Sequence, residues 1–160
     1  MYATIRISTL FVATALFAGP LLAQNKIAEL RARLARETSA VSKAKLMPQI
    51  GDAEFAEIDK NVSQQHLAEA LAVLREYRDE VNSCDKALDA LKVDAGKHPG
   101  GFKELQFSLR ESLRRLDAVI VSMTTDEQVP FIEIRNELSE LNRHLIQQLF
   151  PREQPATAEH

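Results

Sequence analysis

Tryptophan is absent from this 160-residue chain, tyrosine occurs twice and cysteine once. A lone thiol cannot close an internal disulfide, so stability has to come from packing and not from Cys84. Glycine and proline are sparse, five and six residues, which leaves few places for sharp turns. No stretch of four or more residues alternates apolar and polar side chains as a half-buried strand would. Charge is nearly balanced, 20 basic against 23 acidic residues for a formal −3, and gives no reason to expect a nucleic-acid partner.

The motifs of several chemistries are missing as well. One cysteine cannot supply a covalent haem attachment pair, and no glycine-flanked serine forms a nucleophile elbow. The acidic run at residues 51–59 lacks the glycine-kinked pattern of a calcium loop and reads as helix-capping chemistry. Nothing recurs at the period of about 34 residues that a tetratricopeptide array requires. No cofactor is expected, and a binding role is favoured over an enzyme.

What is present begins with an exported-protein signature. A short basic start containing Arg6 leads into an apolar run, residues 7–22, that closes on Leu21, Leu22 and Ala23. This is the order of a cleavable secretory leader, with the cut placed after Ala23, and no cysteine follows the run to carry a lipid anchor. The expected organisation is a leader at 1–23, one helical domain at 24–150 and a polar, disordered tail at 151–160. The leader removes only Arg6 from the charged set, so the formal −3 becomes −4 in the mature chain. The mature chain is expected in the periplasm or outside the cell, and not spanning the membrane.

Leucine, alanine, glutamate and arginine dominate, which is a helical composition. Apolar residues at three- and four-residue steps predict a first helix at 25–46, capped by Asn25, with Ile27, Leu30, Leu34 and Val41 on its stripe and Arg31 off it. Pro48 and Gly51 then predict a loop, followed by a short helix opening at Asp52. Ser63 reads as a new N-cap with a Val62–Leu67 staple. From 64 to 93 the register is the most regular in the chain: Leu67, Ala70, Leu74, Tyr77, Val81, Cys84, Leu88 and Leu91. Thirty such residues would make a rod of roughly 45 Å with a seam for helix partners. Cys84 lies on that seam and is read as core. Residues 94–101 form a glycine-rich loop, followed by a helix at 102–123 with Arg110, Arg114 and Arg115 facing away from the core; after a break at 124–130, where threonine and aspartate offer caps and Pro130 suits a first helical turn, a last helix runs to Phe150. The fold class is therefore all-α, an elongated bundle of about four long helices plus one short helix, arranged as antiparallel hairpins.

Residues 26–45 are predominantly basic and residues 52–94 predominantly acidic, so the two segments should attract each other as neighbouring helices. A basic amphipathic first helix would also suit an anionic membrane surface. The candidate functional features are few. The seam of Leu67, Leu74, Tyr77, Val81, Cys84, Leu88 and Leu91 is a candidate interaction surface. His98, Gly100 and Gly101 are a candidate binding loop, with backbone N–H groups at a helix start that would suit a phosphate. Glu140 and His144 stand a turn apart, but the second carboxylate–histidine helix of a di-metal bundle site is missing. His66 with Glu69 reads as local capping. The leading expectation is an exported, non-enzymatic helical interaction or scaffold protein of the cell envelope that contacts another envelope protein or itself. The alternative is a small-ligand or metal-binding bundle in which His98, His66 or His144 lines a pocket.

Overall fold

The computed structural model describes residues 19–151. They form five α-helices: α1 (Gly19–Arg36), α2 (Ala40–Ser63), α3 (Leu67–Asp89), α4 (Phe102–Val121) and α5 (Thr125–Leu149). No strand occurs among the described residues. The expected leader lies mostly outside them, although the backbone of α1 spans the expected cut after Ala23 and is helical on both sides of Asn25, which therefore caps nothing. Residues 152–160 of the expected tail also lie outside. No described helix is long and apolar enough to cross a membrane.

The first two helices divide the chain differently from the sequence expectation. The break falls at residues 37–39, where the Ser39 side chain accepts from the Ser42 N–H at 3.3 Å and Glu37 Oε1 accepts from the backbone of Thr38 and Ser39, each at 3.0 Å. The first of these bonds satisfies one free donor of the helix start, and the other two fix the turn before it. From there α2 runs through both Pro48 and Gly51, so the short helix at Asp52 does not exist and the smallest element has 18 residues. A proline inside a helix costs about 3 kcal/mol. Keeping one helical register across it buries Met47, Ile50, Phe55 and Ile58 to 1 % exposure or less. At about 1.5–3 kcal/mol for each such side chain, burial outweighs the proline penalty. Thr124 holds the N-cap of α5, as the threonines and aspartate of the 124–130 break predict, with Glu127 Oε2 accepting from its N–H and hydroxyl at 2.9 and 2.7 Å; Pro130 therefore sits beyond the first turn, inside the helix.

Ser63 is the last residue of α2, its hydroxyl donating back to the Lys60 carbonyl at 2.7 Å, and the N-cap position of α3 is held by His66. The other end of α3 also comes early. Lys92 takes a positive φ of 54° and its N–H turns back onto the Asp89 carbonyl, so the rod is about 35 Å long and Leu91 lies beyond it.

Connections of three residues at 37–39, 64–66 and 122–124 reverse the chain and make each joined pair antiparallel. In the four-helix arrangement α2 packs on α3 and α4, and α5 on α4 and α3; α1 lies outside this ring, alongside α2. The long connection at 90–101 carries the chain from α3 to α4. At the centre Tyr77 meets Phe55 edge to face, with ring centroids 5.4 Å apart, and its hydroxyl shares a hydrogen bond with Ser112 Oγ at 2.7 Å. Gly51 belongs to this junction. A Cβ there would lie 3.4–3.5 Å from Ser112 Oγ, Ser108 Oγ and Tyr77, so the residue lets α2 approach α4 and does not make a turn.

Candidate functional site

The regular seam of α3 is turned into the bundle. Leu74, Tyr77, Val81, Cys84 and Leu88 are at most 1 % exposed, Leu67 is half-buried, and only Leu91, past the end of the helix, is substantially exposed. The surface that looked available to a partner is filled by α2, α4 and α5. Cys84 is a buried free thiol whose pKa burial pushes up to about 11.

Electrostatic attraction between the basic and acidic segments acts through one side chain. Arg31 leaves α1 and reaches Glu54 of α2 and Glu76 and Glu80 of α3; its Nε is 2.8 Å from Glu54 Oε1 and 3.0 Å from Glu80 Oε1. The Glu54 side chain is fully buried, and neither its Oε2 nor that of Glu80 has a hydrogen-bond partner. Burial, with the neighbouring acids adding to it, raises the Glu54 carboxyl to about 8, and burial raises that of Glu80 to about 7. One guanidinium cannot neutralise three carboxylates, so protons must share the load. Glu54 is thus an interior bridge to α1, not the helix-capping acid expected from sequence. Open grooves of about 400 and 330 Å³ flank Arg31 where α1 and α3 stand apart.

The candidate loop is occupied by its own chain. The Gly101 N–H donates to Glu104 Oε2 at 2.7 Å, which takes the donor that a phosphate would need. Gly101 itself is buried against Leu88 and Val41 at a φ of +88°. Gly100 and His98 are exposed, and the His98 backbone N–H bonds the Asp94 carbonyl at 2.8 Å. His66 is exposed at the start of α3.

His144 has a partner different from the expected one. Glu140 pairs with Arg143, whereas His144 Nε2 lies 3.4 Å from Asp89 Oδ2 at the end of α3. Asp85, Asp89 and His144 each offer a ligand atom within 4.8 Å of the others, and among the described residues this trio could hold a metal ion. The second helix missing from the sequence reading is supplied by α3, with aspartates. Arg115 also departs from expectation: it is half-buried, pairs with Asp59 at 2.7 Å and covers the Phe55 ring at 5.3 Å.

The outer surface divides unevenly. Phe107, Val121, Val129 and Phe150, all on or at the end of α4 and α5, are 56, 82, 53 and 67 % exposed. No protein-family model, curated protein or solved structure matches the chain.

Proposed function

We propose that this is an exported helical interaction protein of the cell envelope, acting by contact with another envelope protein or with a second copy of itself and not by catalysis. The observation that carries the reading is the exposed apolar set on the α4–α5 hairpin, Phe107, Val121, Val129 and Phe150. Scattered exposed apolar residues are ordinary, but several large ones spread along one hairpin suit an extended contact surface. The seam of α3 does not serve this role, since its residues are the core; the contact surface is instead the outer side of α4 and α5. The apolar segment ending at Ala23 supports export, with the mature chain starting at Gln24.

Light scattering coupled to size-exclusion chromatography tests the surface. The purified chain should form a dimer or larger assembly, or be crosslinked to one specific envelope protein in cells, and Val121→Glu with Val129→Glu should abolish either contact without loss of helicity. A monomer at all concentrations that crosslinks to no envelope protein would refute the proposal. Fractionation of producing cells, with mass measurement of the mature chain, tests export separately.

A further inference from the structure

Two pairs of side chains with one-turn spacing face each other across the α3–α5 contact: Asp85 and Asp89 on α3, His144 and Gln148 on α5. Asp89 ties them together, accepting from Gln148 Nε2 at 2.6 Å through Oδ1 and lying 3.4 Å from His144 Nε2 through Oδ2. These bonds alone would describe an ordinary interhelical contact. They leave two atoms unexplained. Asp85 is only 6 % exposed, and its Oδ1 is buried without a hydrogen-bond partner; Gln148 Oε1 is buried and equally unpartnered. Buried oxygens of this kind are normally satisfied, and an orphaned carboxylate oxygen is the costliest to leave so. Burial, and after it the charge of Asp89, raise the Asp85 carboxyl above its ordinary range, with His144 and Lys86 pulling the other way. A cation that accepts electron pairs would satisfy the orphaned carboxylate oxygen.

We propose that Asp85, Asp89 and His144 bind a divalent transition-metal ion of the zinc class, with Gln148 Oε1 or a water completing the coordination. The donor set decides the class: calcium and magnesium take oxygen ligands, whereas an imidazole beside carboxylates suits zinc and its first-row neighbours. Bound to one ion at about 2.1 Å, tetrahedrally arranged donors stand about 3.4 Å apart, so side chains now within 4.8 Å close on the ion by small rotamer changes. The ion would pin the last turn of α3 to the last turns of α5, beside the 90–101 connection. The site does not depend on the α4–α5 contact surface proposed above.

The test uses the full chain, purified and stripped with a chelator, then titrated with zinc and with cobalt(II) by calorimetry, visible absorption and thermal denaturation. One equivalent should bind per chain, raise the melting temperature and, for cobalt, give the visible bands of a site containing a nitrogen ligand. Asp89→Asn and His144→Ala should each weaken binding roughly tenfold or more, while His98→Ala leaves it unchanged. His144 is 44 % exposed, so its variant retains the fold, which circular dichroism checks directly. Absence of stoichiometric binding, or binding that survives both Asp89→Asn and His144→Ala, overturns the proposal.

Discussion

Arg31 and Glu54 lie 23 positions apart, on helices meeting at a three-residue break, and the arginine closes over a carboxylate whose side chain has no solvent exposure. The backbone of α1 lies close to α2 alone, so this side chain is also the link from α1 to α3. Removing one partner of a buried pair typically costs about 3–5 kcal/mol. Arg31 is 30 % exposed and the acids around it can take up protons, so Arg31→Met should cost less, about 2–3 kcal/mol in urea denaturation. Adding Glu54→Gln should recover much of that loss, because it removes one of the acids left crowded together without the arginine. Two additive losses would show that the residues do not act as a pair.

Stability should fall as pH rises through neutrality. Folded Glu54 keeps its proton up to about 8 and Glu80 up to about 7, while a solvated glutamate gives its proton up near about 4.3. Between those limits the folded state binds more protons than the unfolded one, and stability declines with each unit of pH. The melting temperature should therefore be higher at about pH 5 than at about pH 8, and Glu54→Gln should flatten the slope. A slope of opposite sign, or one unchanged in the variant, would place the titrating groups elsewhere.

The apolar registers of α3, α4 and α5 were legible because each repeats a single spacing for five or more turns, and Leu74, Leu109 and Leu138 are all core residues. The α1–α2 boundary was not, since Leu34 and Val41 keep the spacing across the break while Pro48 and Gly51 mimic a stop. Burial of the residues around Pro48 overrode a local preference worth about 3 kcal/mol. A signal for Glu54 did exist: it stands four residues from both Ile50 and Ile58, an acid on an apolar register. The Asp85–His144 cluster had a weaker one. Asp89 and His144 lie more than fifty positions apart in sequence, and only the packing of α3 on α5 brings them together.

Two glycines make opposite predictions. At Gly51 an added methyl meets neighbours at 3.4 Å or more, ordinary contact distance, in a helix where alanine is favoured over glycine by about 0.5–1 kcal/mol. Gly51→Ala should raise stability by that order, and Gly51→Leu should lower it by forcing α2 from α4. At Gly101 a Cβ would come within 2.8 Å of Leu88 and 3.1 Å of the Val41 backbone, at a φ that disfavours side chains. Gly101→Ala should cost about 1–3 kcal/mol from backbone strain, with the clash adding to it. Chemical denaturation of the two alanine variants side by side distinguishes the close-packing glycine from the turn glycine.

Cys84 provides a check on whether the α3 seam stays closed. Its side chain is 1 % exposed and burial lifts its pKa to about 11, so very little reactive thiolate exists at neutral pH and what exists is shielded. The native chain should resist a maleimide that labels the denatured chain at once, and its solution mass should not change with reductant. The groove between α1 and α3 reaches Cys84 beside Arg31, Leu34 and Glu80. Arg31→Met, by loosening α1 from α3, should therefore speed labelling before it measurably lowers the helix content. Rapid labelling of the wild-type chain would mean that α1 opens readily, and a reductant-sensitive dimer would mean that Cys84 is within reach of a second copy.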